Sequence, residues 1–265
     1  MNILTEIERK ATKNHARIGI GIGKVSESLI SSAQDAQDFA EVVLVGDEKQ
    51  IRSMDTDLEI IHSTEPSKKL VELLVNGEID GAVRGTLSAT KTLSALKSSL
   101  GMKKLYRIAL METADGTPFF LAPVGIDEGN SVEDKIELVK LGVEHMKRLG
   151  IDAKAGILSG GRFEDKGRDK TVDRTLDEAE IVTKRLCDMG INTTNYSILI
   201  EDAIKEANFI IAPDGISGNL IFRTLVFLGN GHGYGAAVLM DKVFVDTSRV
   251  KEDASRAIML ASALV

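Results

Sequence analysis

Short apolar runs alternate along the chain with longer stretches whose apolar residues recur every three to four positions. The first kind of run reads as a buried strand and the second as an amphipathic helix. The pattern predicts a strand at 17–23, a helix at 25–39 and strands at 41–45 and 58–61. A helix at 66–76, a strand at 80–83 and a helix at 88–100 follow. Strands at 105–111 and 118–123 flank Asp115-Gly116 and read as an antiparallel pair. Then come a helix at 132–149 stopped by Gly150, a strand at 155–158, a helix at 176–189 and a strand at 209–212. A late strand at 243–245 and a helix at 251–264 close the chain. This rhythm is that of an α/β protein with a largely parallel sheet covered on both faces.

Composition narrows the function classes. The chain has 265 residues, enough for one large or two modest domains. Lys and Arg number 33 against 40 Asp and Glu, a net charge of −7, which disfavours general nucleic-acid binding. Aromatic residues make up 4% and tryptophan is absent, so base-stacking platforms are disfavoured too. Cys187 is the one cysteine, which excludes an internal disulfide and fits a cytoplasmic setting. It sits on an amphipathic helical pattern and reads as a packed small apolar residue. No apolar run approaches the roughly 20 residues of a spanning helix, and residues 1–17 lack a signal-peptide core.

Several common chemistries are missing. The run Gly19-Ile-Gly-Ile-Gly23 is not a dinucleotide fingerprint, because Lys24 stands where the third glycine is needed. There is no phosphate-binding loop of the Walker type. His15, His62, His145 and His232 lack metal-ligand spacing, and His232 lies in a glycine-rich stretch, 231–235, expected to be a flexible loop.

Strand ends carry the candidate chemistry, because open parallel sheets bind ligands at the carboxyl ends of their strands. Three ends combine glycine with a polar group. They are Arg84-Gly85-Thr86, Ser159-Gly160-Gly161-Arg162, and Pro213 through Asp214, Gly215, Ile216, Ser217 and Gly218 to Asn219. The last runs into a helical pattern at 220–228, so backbone N–H groups and a helix dipole face a phosphate or another anion. The alternative is an ordinary strand–turn–helix link capped at Ser217 or Asn219. Near the C-terminus, Asp246-Thr247-Ser248-Arg249 precedes Glu252 and Asp253. Arg249 can grip an anion in two-pronged fashion, Ser248 can donate a hydrogen bond and Asp253 can act as a base. The alternative is a capped helix start with favourable acids. Residues 160–174 are dense in charge of both signs and read either as a solvated loop or as a mobile flap beside a site.

Taken in order, these motifs resemble the phosphate acetyl/butyryltransferase superfamily. The resemblance rests on Asp80-Gly-Ala-Val-Arg-Gly-Thr86 with Thr90, Gly156-Ile-Leu-Ser-Gly160, Ala212-Pro-Asp-Gly-Ile-Ser-Gly-Asn219 and Val245-Asp-Thr-Ser-Arg249. Within it, the chain is most similar to the methanogen branch named methyltransferase subunit X, or methanogenesis marker protein. The resemblance implies two three-layer α/β/α lobes of the phosphotransacetylase/isopropylmalate-dehydrogenase-like type with a cleft between them. Residues 1–98 with 237–265 would form the first lobe. Residues 99–236 would form the second, used in a homodimer.

The same resemblance implies a catalytic set of Ser248, Arg249 and Asp253. It implies a phosphate- or ligand-binding set of Arg84, Thr86, Ser159, Arg162, Ser217, Gly218 and Asn219. No metal and no firmly bound cofactor is expected, and the ligand would be small and anionic, coenzyme A or another phosphorylated cofactor. Three functions follow: a transferase of methyl groups linked to methanogenesis, a phosphate acyltransferase joining acyl phosphate to coenzyme A, or a non-catalytic cofactor-binding subunit that docks on other methyltransferase subunits.

Overall fold

The computed structural model describes residues 2–247 and 253–265. The chain divides into two compact units, Met1–Leu105 with Tyr234–Val265, and Tyr106–Gly233. The first unit opens with α1 (Ile3–Asn14), β1 (Arg17–Gly21), α2 (Glu27–Asp35), β2 (Glu41–Gly46) and α3 (Glu48–Arg52). It continues through β3 (Glu59–His62), α4 (Pro66–Asn76), β4 (Gly81–Val83) and α5 (Ala89–Leu100). The second unit holds β5 (Arg107–Glu112), β6 (Pro118–Ala122), α6 (Val132–Arg148), β7 (Ala155–Leu158) and α7 (Lys170–Asp188). It ends with β8 (Thr193–Ser197), α8 (Ile200–Glu206), β9 (Phe209–Ile211) and α9 (Gly215–Phe227). The chain returns through β10 (His232–Val238), β11 (Val243–Asp246) and α10 (Ser255–Leu264). The architecture is the expected α/β class.

In the first unit the strand order is β3-β2-β1-β4-β11-β10. The first five strands run parallel, and β10 pairs antiparallel with β11. Parallel strands covered on both faces are apolar throughout, and β2 buries Val42, Val43, Leu44 and Val45 in sequence. Leu70, Leu73 and Leu74 of α4 and Leu96 of α5 pack on Val45, Ala82 and Phe244 of the sheet. Pro66 starts α4 at a position where its missing N–H costs nothing, and Gly77 ends it in the left-handed region at φ 75°. A second helical layer joins α10 to α1. Residues Ala257 to Leu264 are all buried, and the Ser262 hydroxyl donates to the Phe39 carbonyl at 2.8 Å.

The second unit has the order β5-β6-β9-β7-β8. β5 and β6 form the antiparallel pair expected around Asp115-Gly116, and the other pairings are parallel. Ser131 caps α6 by accepting from the Asp134 N–H at 3.1 Å.

Several elements differ from expectation. The 25–39 helix begins only at Glu27, where Ser26 caps it, and ends in a tighter 3-10 turn at Ala36–Asp38. The N-terminal segment forms α1, which the charge-rich pattern hid. The 160–174 segment is not irregular throughout: Phe163–Asp165 is a 3-10 turn and α7 starts at Lys170, capped by Asp169. Its first turns were hidden because only Val172 and Thr175 among them are apolar or buried. The 231–235 stretch is not a free loop either, since His232 begins β10. The last helix starts at Ser255, and residues 251–252 of the expected 251–264 helix lie outside the described residues.

Candidate functional site

The carboxyl ends of β1, β4 and β11 lie side by side in the first unit. Arg84 follows β4 and is 4% exposed. Its Nε donates to the Asp246 carboxylate at the end of β11, and its Nη1 donates to the Leu87 carbonyl at 2.7 Å. The Thr247 hydroxyl donates to the Gly85 carbonyl at 3.0 Å. Two strand ends 162 residues apart are thereby fastened together. Gly85 sits at φ 59°, where a β-carbon would collide with the Gly21 carbonyl, so only glycine lets β4 leave the sheet this close to β1.

Thr86 completes the corner. Its hydroxyl donates to the Lys24 carbonyl at 2.9 Å and accepts from the Gly23 and Lys24 N–H groups, both at 3.0 Å. The structure therefore brings two expected ligand residues, Arg84 and Thr86, to one strand edge, and both side chains hold the loops in place. Ser248 and Arg249 lie outside the described residues. Asp253 is exposed, and its carboxylate accepts from the Ser255 N–H at 3.0 Å and from the Ser255 hydroxyl at 2.7 Å.

Beside this corner opens a groove of about 1310 Å³. Gly23, Lys24, Thr86 and Ser88 line its mouth, and it runs between α4 and α5 past Ser94 and Ala95 to Val75 and Ser98. Both helices begin at the mouth. Ser88 caps α5, whereas α4 begins after Glu65 with no side-chain cap. Lys68 pairs with Glu65 at 2.7 Å, while Lys24 and Lys91 have no ion pair among the described residues. Cations and uncapped N–H groups at one end favour an anion there. The motif reading missed this groove. Pro66 opening a helix directly after Thr64 and Glu65 was the available signal.

The expected residues of the second unit lie at two strand ends. Ser159, after β7, is buried and donates to the Gly161 carbonyl at 3.0 Å. Arg162 is exposed, and its N–H donates to Asp165 at 2.9 Å. After β9, Asp214 caps α9 by accepting from the Ser217 N–H at 2.8 Å, so Ser217 and Asn219 are helical residues and not caps. The Asn219 side-chain amide donates to the Val124 carbonyl at 2.9 Å. A β-carbon at Gly215 or Gly218 would collide with the carbonyl oxygens of Gly125 or Pro123. These two glycines thus let the helix lie directly on the loop after β6.

Two titratable groups of this unit are shifted by burial. Desolvation raises the Glu128 carboxyl above its ordinary range, against the Arg107 guanidinium 2.6 Å away. Burial lowers His145 to about 4, helped by the charge of Arg148, and its Nε2 has no hydrogen-bond partner among the described residues. Among the described residues no group of three or more His, Cys, Asp or Glu is placed to hold a metal ion.

No protein-family profile matches the chain. Over 265 residues it is 57% identical to a protein of Methanosarcina mazei named "Putative methyltransferase mtx subunit X", covering 99% of this chain and 95% of that one. The chain belongs to the methyltransferase mtx subunit X family. A second relative, an uncharacterized methyltransferase of Methanocaldococcus jannaschii, is 40% identical over 222 residues, 80% of this chain and 88% of its own. More distantly, a phosphate acetyltransferase of Rickettsia typhi is 27% identical over 234 residues, 77% of this chain and 67% of that one.

Solved structures show that this chain shares the phosphotransacylase fold. A branched-chain phosphotransacylase from Enterococcus faecalis superimposes with a TM-score of 0.74 at 16% identity, covering 93% of this chain and 99% of that one. A phosphotransacetylase from Staphylococcus aureus gives 0.70 at 17% identity, with 98% of both chains covered. No described helix is long and apolar enough to cross a membrane.

Proposed function

We propose that this protein is a transferase that takes a small phosphorylated ligand, coenzyme A or a related cofactor, with its anionic end at the mouth of the α4–α5 groove. The observation that carries this reading is the meeting of Lys24, Lys91 and the starts of α4 and α5 around the Thr86 corner. Arg249 and Ser248, which follow Thr247 directly in the chain, hold the transferred or attacking anion, and Asp253 manages the proton. For acyl transfer, an oxygen of a protonated phosphate attacks the thioester carbonyl carbon, the carbon–sulfur bond breaks, and Asp253 takes the phosphate proton as base and passes it to the leaving thiolate, giving the acyl phosphate and the free thiol. Catalysis of this kind is positioning and charge stabilisation.

A second reading is methyl transfer, supported by the names of the relatives. In that case the same groove holds the cofactor and the chain works beside other subunits.

Calorimetric titration of the full chain with coenzyme A, and separately with inorganic phosphate, tests the shared claim. Coenzyme A is expected to bind, and K91E or K24E to weaken it about tenfold, the effect of losing one charge-assisted contact. Absence of binding, or binding that both reversals leave unchanged, refutes the site. Phosphate-dependent release of thiol from acetyl-coenzyme A that disappears in R249A selects the acyl reading over the methyl one.

A further inference from the structure

Thr92 of α5 is enclosed, at 0% exposure, and its hydroxyl donates to the Ser67 hydroxyl oxygen of α4 at 3.0 Å. A helical threonine ordinarily gives that hydrogen to a carbonyl one turn back in its own helix. Thr175 and Thr183 of α7 do so, donating to the Val172 and Ala179 carbonyls, each at 2.8 Å. Enclosure fixes the direction of the Thr92 bond. Thr92 has no access to solvent, so its hydrogen goes to Ser67, since otherwise a buried donor would be left unpaired. Ser67 is partly exposed, lines the groove and keeps its own hydrogen to give. No carbonyl or carboxylate among the described residues takes that hydrogen.

We propose that Ser67 is a ligand-binding residue whose hydroxyl donates to a phosphate oxygen at the groove mouth, and that Thr92 is the positioning residue that aims it. Both roles rest on the reading that the groove is the ligand site. Charge favours an acceptor beside Ser67. Glu65 and Glu72, the two acids lining the groove, pair with Lys68 at 2.7 Å and Lys69 at 3.1 Å. Lys24 and Lys91 have no ion pair among the described residues, so the uncompensated charge in the groove is positive. An anion drawn there brings oxygens that only accept, and a bond from a hydroxyl to a charged oxygen is stronger than one to a neutral oxygen. The tether to Thr92 adds orientation. A free serine side chain spreads over three staggered rotamers, and the Thr92 bond selects one of them. The hydroxyl is thus aimed before the ligand arrives, which lowers the ordering cost of binding.

Calorimetric titration of the full chain with coenzyme A tests both roles, with K24E and K91E as references. S67A should weaken binding about tenfold, the loss of one hydrogen bond to a charged group. T92V keeps the shape and frees the Ser67 side chain, so it should weaken binding about threefold, one rotamer in three. T92S keeps the hydroxyl and should bind as the parent does. S67A/T92V should bind no more weakly than S67A, because Thr92 acts only through Ser67. A packing role for Thr92 would instead make the two losses multiply. Urea curves without ligand establish that each variant is folded at the titration temperature. If S67A binds like the parent while K24E is weakened, the Ser67 assignment is overturned and the groove remains the ligand site. If K24E and K91E are also without effect, the groove reading fails and this assignment fails with it. A double variant weaker than S67A, or T92S weakened as far as T92V, overturns the positioning role of Thr92.

Discussion

Arg84 and Asp246 form a buried ion pair that joins the strand ends of β4 and β11. Arg84 also donates to the Leu87 carbonyl, so the guanidinium is an internal bracket with an anion already attached. Removing one member of such a pair strands the other charge in a dry site, at a cost of about 3–5 kcal/mol. R84M should therefore lower stability by about that much in urea unfolding. R84M/D246L should recover a large part of it, because no charge is then left buried. If R84M unfolds like the parent chain, the bracket role is wrong.

Gly218 supplies a second test, directed at the sequence motif. G218A puts a methyl group into the Pro123 carbonyl, which is backbone and cannot swing aside. Overpacking of this kind costs about 1–3 kcal/mol. A thermal melt of G218A should show that loss without any ligand present. A glycine kept only for anion binding would instead leave the melt unchanged and weaken coenzyme A alone.

How much of this was legible in the sequence depends on where each signal lies. Strands such as β2 and helices such as α4 were legible because full burial forces unbroken apolar runs and a single apolar stripe. α1 was not, since it buries only Glu6, Ile7 and Ala11 and fills its remaining surface with charge. β8 was missed because Thr194, Asn195 and Tyr196 are partly or fully exposed, as suits the last strand of its sheet. Glycines concealed β10, which they weaken as a strand. For the site, local sequence placed Arg84, Gly85 and Thr86 together at a strand end. It could not show that Asp246 already occupies the arginine, because that partner is 162 residues away. Nor could it show the groove, which exists only because two helices separated by β4 become neighbours once the sheet is assembled.

His145 gives a pH dependence whose sign can be worked out. Burial lowers its pKa from 6.5 to about 4. Above pH 6.5 the ring is neutral in both folded and unfolded chains and costs nothing. Between pH 6.5 and 4 the unfolded chain takes up the proton and the folded chain does not, so stability falls as pH falls. The full difference is about 3 kcal/mol, at ~1.4 kcal/mol per pH unit. H145M fills the same space without a titrating group, so it should flatten this limb of the stability–pH curve. An unchanged slope in H145M between pH 6.5 and 4 would show that the ring is not held neutral.

Thr86 links the fold to the proposed ligand. Its hydroxyl meets the Lys24 carbonyl and the N–H groups of Gly23 and Lys24, so its removal leaves the corner at the groove mouth unpinned. T86V keeps the shape and deletes the hydroxyl, and loss of these bonds should cost about 1–3 kcal/mol. T86S keeps the hydroxyl and should retain most of the stability. Because Lys24 belongs to the pinned corner, T86V should also weaken coenzyme A while T86S binds nearly as the parent does. Titrating both variants alongside their urea curves separates the possibilities. If T86V loses stability but binds normally, Lys24 does not reach the ligand. If T86S fails as badly as T86V, the methyl group and not the hydroxyl holds the corner, and the hydrogen-bonded account of the groove mouth fails with it.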